Sequence, residues 1–327
     1  MKFKELGWNG FLLQIPEEMR LTTEGGNINS GYLKLEMENL IMEIKWDVFD
    51  PKKIKSLAEV SSSFIENLKK TLEKRAKKKV DVKVKTMENI FISSHNARFM
   101  VIDSGTGLRE PTYMWICDKS KRIIILHFAF SPLMEEGEET VGRILSSLKC
   151  HAEGDLIPWS ALNIRFNLPL SLLLSERKIA VGRTYLIFRD QKYFTFGEAG
   201  RSLSIEYFSM ANILFEDTYK DLDTWFQKNY WKDLKKTHKN IDFQSSESRR
   251  IMRHNALYKH GVVKSGIFTR KTTLCKNLTW YCSRSNRIYS VTYTSYISRP
   301  FFLKRSINED EEEKFLQDIL SSFKCHL

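Results

Sequence analysis

The feature that most constrains this chain is a stretch it contains twice. Ile144-Leu145-Ser146-Ser147-Leu148-Lys149-Cys150-His151 returns as Ile319-Leu320-Ser321-Ser322-Phe323-Lys324-Cys325-His326, with a single change from leucine to phenylalanine. Upstream, Trp115, Cys117, Ser120, Arg122 and Ile123 pair in the same order with Trp280, Cys282, Ser285, Arg287 and Ile288. Earlier still, His95-Asn96-Ala97 pairs with His254-Asn255-Ala256, and Trp8 with Trp159. The order is the same in both halves, and the spacing between paired positions widens along the chain. This is the pattern of an old duplication whose second copy gained loop residues. The period is too long for a solenoid repeat, so each copy is expected to be a domain. In a chain of 327 residues the copies fall at 1–152 and 157–327, both ordinary domain sizes.

Composition supports two packed cores: 42% of residues are hydrophobic and 12% aromatic. The longest apolar run, about Ile123 to Phe130, is too short to span a bilayer. The N-terminal residues lack the apolar run of a signal peptide. A cytoplasmic protein without integral membrane association is therefore expected. Five cysteines with no CxxC pair indicate neither a disulfide framework nor a zinc knuckle. They read as buried apolar thiols, and neither a metal nor a cofactor is expected.

Alternating apolar and polar residues mark strands at Tyr32–Met37, Ile41–Trp46 and Val80–Lys85. Asp50-Pro51 reads as the start of a helix running to about Lys78, with Leu57, Val60, Phe64, Leu68 and Leu72 inward. Ser94-His95-Asn96-Ala97 reads as a hairpin turn. Tyr113–Cys117 and Arg122–Phe130 form the next hairpin, and Glu135–Leu148 a closing helix. The second copy gives strands at Ala161–Phe166, Tyr185–Phe188, Tyr193–Phe196 and Leu203–Phe208. A helix after Asp217 buries Tyr219, Leu222, Phe226 and Tyr230, and a closing helix carries Phe315, Leu316, Ile319, Leu320 and Phe323. The fold class is α+β: two similar domains, each an antiparallel sheet packed with a long helix and a C-terminal helix.

That order of elements, with the opening Trp8, Phe11 and Ile15-Pro16 and the terminal Ile-Leu-Ser-Ser helix, resembles the Mog1/PsbP-like fold. The resemblance implies an adaptor or assembly factor rather than an enzyme. It carries no catalytic motif, and no functional residue transfers from it.

His95 and His254 occupy equivalent turns, but no nucleophile or carboxylate recurs beside both in the sequence, so they read as structural. His151 and His326 follow the closing helices, where a cation suits the helix end. Trp115/Trp280 and Arg122/Arg287 read as packing residues of one hairpin. No paired carboxylates or triad point to catalysis.

The copies differ in charge. The net charge is +12, most of it in the second copy, which points to an acidic partner. On the second copy's long helix Lys228, Trp231, Lys235 and Lys239 share a helical face, suited to backbone binding with base stacking. In the longer loop before the last helix, Arg299, Phe301, Phe302, Lys304 and Arg305 form a basic-aromatic anchor. The expectation is a non-catalytic binding or adaptor protein whose second domain docks an acidic macromolecule, a nucleic acid or ribonucleoprotein. The alternatives are an assembly factor for an acidic protein and a hydrolase-type enzyme with a site between the domains. Phe301-Phe302-Leu303 alone would favour a membrane surface.

Overall fold

The structure is a computed structural model that describes residues 1–50, 52, 56–216, 221–238, 241–303 and 306–326. It divides into two compact units, one of residues 1–154 with 158–162, the other of 155–157 with 163–327.

The first unit holds β1 (Phe3–Trp8), β2 (Phe11–Pro16), β3 (Arg20–Gly26), β4 (Ser30–Met37), β5 (Leu40–Val48), α1 (Leu57–Ala76), β6 (Lys83–Ile92), β7 (His95–Asp103), β8 (Glu110–Cys117), β9 (Arg122–Phe130) and α2 (Gly137–Ser147). The strand β10 (Leu156–Ala161) is divided between the units. The second unit continues with β11 (Ile164–Pro169), β12 (Leu173–Ile179), β13 (Arg183–Phe194), β14 (Gly197–Ser209), α3 (Ala211–Glu216), α4 (Leu222–Trp225), a π-helical turn at Phe226–Tyr230 and α5 (Trp231–Thr237). It ends with β15 (Ser245–Ile251), β16 (His254–Ser265), β17 (Thr269–Cys282), β18 (Arg287–Pro300) and α6 (Glu309–Ser322).

Each unit is built on a seven-stranded sheet in which every pairing is antiparallel. The orders are β3-β4-β5-β9-β8-β7-β6 and β12-β13-β14-β18-β17-β16-β15. Taken strand by strand, they are the same order, consistent with duplication. The strands form where the sequence alternates: in β9, Arg122, Ile124, Leu126, Phe128 and Phe130 are buried and their neighbours are not.

One face of the first sheet takes α1. Val60 and Phe64 pack there against Met100, Ile102 and Met114, with Leu57 and Leu68 at the rim. Burial of a side chain such as Phe64 contributes about 1.5–3 kcal/mol. The helix starts later than Asp50-Pro51 suggests. Ser56 is extended, its hydroxyl accepts from the Glu59 N–H, and Glu59 reaches back to the Ser56 N–H. This reciprocal capping box satisfies two otherwise orphaned donors, which fixes the start at Leu57. Pro51 lies outside the described residues.

The expectation of one long regular helix in each half does not hold. In the second unit the corresponding stretch is short α4, a π turn and short α5. The extra residue in the π turn keeps Trp225, Phe226, Tyr230 and Leu234 all buried on Cys275 and Ile288. Tyr230 also donates to Glu206 (2.8 Å), a fully buried carboxylate that Arg183 meets at 2.9 Å. Asp217 and Tyr219 lie outside the described residues.

Two other expectations shift in detail. The first-copy turn is Ser93-Ser94, both at positive φ (47° and 68°), and His95 opens β7, with Ile92 opposite it. Two consecutive left-handed residues are what a two-residue hairpin loop demands, so the polar serines rather than Asn96 take the bend. Tyr193–Phe196 is no separate strand: β13 runs unbroken to Phe194, and Thr195-Phe196 is the tip of a long hairpin whose last pair is Phe194 and Gly197.

Candidate functional sites

The sheet register brings together residues that are far apart in sequence. Ala97 pairs with Trp115 across β7 and β8, which sets His95 opposite Cys117 on the sheet face away from α1. Ala256 pairs with Trp280 across β16 and β17, and that register sets His254 opposite Cys282. The third and fourth members follow the closing helices. Lys149 forms a two-bond bridge with Leu12 (2.9 and 2.8 Å), and Lys324 forms the same bridge with Arg165 (3.0 and 2.7 Å). The helix ends are held alike too: Ser147 Oγ accepts from the Gln14 N–H and Ser322 Oγ from the Asn167 N–H, both at 2.9 Å. These ties deliver Cys150-His151 and Cys325-His326 to their sheets.

The result is two matching quartets, His95, Cys117, Cys150 and His151 in one unit and His254, Cys282, Cys325 and His326 in the other. Within each, one nitrogen or sulfur atom per residue lies within 4.8 Å of all the others. In the first, Cys117 Sγ lies 3.3 Å from His151 Nδ1, and Cys150 Sγ lies 3.5 Å from His151 Nδ1 and 3.8 Å from His95 Nε2. In the second, Cys282 Sγ lies 3.5 Å from His326 Nδ1, and Cys325 Sγ lies 3.3 Å from His326 Nδ1 and 3.2 Å from His254 Nε2. The same ring nitrogens face inward in both. All four cysteines are buried, the histidines half-buried, and every thiol is free.

The thiols in each quartet are matched unequally. A hydrogen bond from Cys150 holds the Cys117 thiol down to about 3, helped by Ser120, and the same bond pushes Cys150 up. In the second unit burial opposes ionisation of Cys282, but bonds from Ser285 and Cys325 bring it below the usual thiol range. Cys325 is pushed up to about 12 by burial and by Cys282. In each pair one sulfur is thus biased toward its charged form and its neighbour toward the protonated form.

Sequence reasoning missed these quartets. It weighed each recurring pair alone, against ligand spacings measured along the chain. The available signal was that His, Cys and Cys-His recur in one order in both copies, while Cys275 does not.

The second feature is confined to the second unit. Its central strands are much longer: β17 and β18 have 14 residues each, where β8 has 8 and β9 has 9. Glu198 pairs with Ser298, Thr269 with Pro300, and the Phe301 N–H donates to Phe268 O at 3.1 Å. The extended ends of β13, β14, β17 and β18 therefore lie at one edge. They leave Tyr193, Phe196, Ile267, Phe268, Phe301 and Phe302 exposed, Ile267 and Phe268 by about four fifths. Arg270 stands across from Arg299, and Lys271 Nζ lies 4.2 Å from the Tyr296 ring centre. Sequence reasoning found Arg299, Phe301 and Phe302 here but not Phe196 or Phe268, which sit at the tips of hairpins.

The helix-face residues are placed differently from a lysine-flanked outer stripe. Lys228 and Lys235 are exposed, but Trp231 is half-buried. It stacks on Phe226 (6.1 Å) and leans on Phe243 (5.2 Å), with Lys235 Nζ 4.4 Å over its ring. The π turn adds a residue to the helical count and so rotates Trp231 toward the core. Lys239, Lys304 and Arg305 lie outside the described residues. Trp115 and Trp280 are fully buried, as packing residues should be. Arg122 is buried too, but over Phe11 (5.3 Å) and bonded to Asn9 O (2.8 Å). Among the described residues no helix is long and apolar enough to cross a membrane.

No family model matches this chain, and no curated protein matches it. Among solved structures it is similar to cyanobacterial PsbP from Synechocystis sp. PCC 6803, at 7% identity and a TM-score of 0.35, over 46% of this chain and 92% of that one. It is also similar to a putative thioesterase II from Thermobifida fusca, at 10% identity and a TM-score of 0.15, over 80% of this chain and 94% of that one. These likenesses are too slight to assign a family.

Proposed function

We propose that the chain is a non-catalytic binding protein, made by duplication of a Mog1/PsbP-like domain, whose second unit docks an acidic macromolecule. The fold reading is supported by the order of paired strands, α1, antiparallel strands and closing helix in the first unit, and by the identical strand order of the second. Fold alone does not choose a partner.

One observation carries the binding reading. The second copy lengthened its central hairpins, and the added length ends in exposed aromatic rings beside Arg270, Lys271 and Arg299. Core packing does not require this, because the first unit forms the same sheet with short hairpins. Cations attract a phosphate or carboxylate backbone, and flat exposed rings offer bases a stacking surface. A single-stranded nucleic acid is the sharpest form of the reading.

The test is binding of labelled single-stranded RNA and DNA at low and moderate salt. Binding should weaken steeply as salt rises. Phe268→Ala with Phe301→Ala should weaken it about tenfold or more, each lost stacking contact being worth roughly 1–3 kcal/mol. These exposed substitutions should leave thermal stability unchanged to within about 0.5 kcal/mol. No binding at low salt would remove nucleic acid as the partner and leave an acidic protein.

A further inference from the structure

We propose that each unit binds one zinc-class divalent cation, held in the first by His95 Nε2, Cys117 Sγ, Cys150 Sγ and His151 Nδ1 and in the second by His254 Nε2, Cys282 Sγ, Cys325 Sγ and His326 Nδ1. The first argument is metric. Zinc takes thiolate sulfur at about 2.3 Å and imidazole nitrogen at about 2.0–2.1 Å in a tetrahedron. Those bond lengths place sulfur and nitrogen ligands about 3.5 Å apart and two sulfurs about 3.8 Å apart. Six of the eight sulfur-to-nitrogen separations run from 3.2 to 3.8 Å, and every ligand pair lies within 4.8 Å. These separations match the sulfur-to-nitrogen spacing of a tetrahedral zinc site.

The second argument is chemical. Two thiolates and two imidazoles form a set that selects zinc among abundant divalent ions, since calcium and magnesium take oxygen. Four protein ligands leave no open position, so the site is structural and not hydrolytic. Loading displaces the thiol protons to solvent and leaves a neutral complex, with no oxidant or reductant involved.

The third argument is the surrounding support. His95 Nδ1 lies 2.7 Å from Ser93 O, which fixes a proton on Nδ1 and leaves the Nε2 lone pair aimed into the quartet. The Ser120 N–H donates to Cys117 Sγ at 3.4 Å. The indole N–H groups of Trp115 and Trp280 are buried without an oxygen or nitrogen acceptor. Each lies beside a sulfur of its own quartet, Trp115 beside Cys150 and Trp280 beside Cys325. A thiolate bound to metal would satisfy both.

The fourth argument is recurrence. The same four residue types, with the same ring nitrogens facing in, stand on the same strands and closing segments in both units. Cys275, the cysteine without a counterpart, is buried in another cluster against Trp225 and Tyr230. The sites differ at one edge. Arg284 Nη1 lies 3.3 Å from His326 Nε2. A metal on Nδ1 leaves Nε2 protonated, so this exposed guanidinium must turn to solvent on loading, and the second site should be the weaker.

The ion would clip the segment after the closing helix to two hairpins of its own sheet, joining the last residues of each unit to its core. The test uses the full chain, purified under reducing conditions, stripped with a chelator and titrated with zinc and with cobalt. The chain should take two equivalents. Cobalt should give thiolate charge-transfer absorption and the visible bands of tetrahedral coordination. Cys117→Ser and Cys282→Ser should each reduce the stoichiometry from two to one, and the double variant to none, while Cys275→Ser keeps two. The wild-type cobalt spectrum decides the matter even if a variant does not fold. Absent charge-transfer bands, less than one equivalent bound, or a Cys117–Cys150 disulfide formed in place of metal uptake would overturn the proposal.

Discussion

The two units share a plan and differ in what they do with its edges. Both keep the seven-strand order, the buried tryptophan, the serine tie at the closing helix and the His-Cys-Cys-His quartet. They differ in hairpin length, in the regularity of the helical stretch and in net charge. Their sequences have drifted so far that only short stretches still align. The features kept through that drift include the quartet. The long aromatic hairpins are an addition of one unit, which is why they carry the binding reading.

That comparison can be broken most sharply at the tryptophans. Trp115 and Trp280 are fully buried at equivalent positions. Trp115→Ala and Trp280→Ala should each destabilise their own unit by about 3–5 kcal/mol. Hydrogen exchange should locate each loss in the unit that carries the substitution. A large effect in one unit and none in the other would mean that the shared plan is not equally used.

A smaller effect should separate the units in acid. Glu313 on α6 lies in contact with buried Lys276 and 2.9 Å from Arg249. Burial opposes its ionisation, but Lys276, Gln317 and Arg249 outweigh this and bring its pKa to about 2, from 4.5. The folded unit therefore keeps a carboxylate where the unfolded chain is already protonated. The stabilisation is complete above pH 4.5 and disappears as pH falls from there toward 2. The residue in the matching place on α2, Glu138, meets Arg109 at the exposed surface instead. Stability between pH 4.5 and 2 should thus fall more in the second unit, and Lys276→Met should flatten the dependence. Equal acid sensitivity in both units, unchanged by Lys276→Met, would show that Glu313 is not the cause.

Much of the fold was legible because repetition and alternation are local signals. The hairpin with its turn at Asp118–Lys121 and the two closing helices fell where expected. Hairpin length was less legible. From Thr273 to Trp280 strand β17 is buried on both faces, so its apolar residues do not alternate and its ends are unmarked. The π turn left no trace in the sequence, because its aromatic residues would also suit an ordinary helix. The quartet was the hardest to read. His95, Cys117 and Cys150 are joined by strand register and by the Leu12–Lys149 bridge, neither of which a spacing along the chain reveals.

The central claim is that both units enclose the same four-ligand site, and the most direct measurement is zinc-edge X-ray absorption on the full chain loaded with two equivalents. The account predicts one averaged environment of two sulfurs at about 2.3 Å and two imidazole nitrogens at about 2.0–2.1 Å. A shell of oxygen and nitrogen alone would place the metal elsewhere on the surface and contradict it.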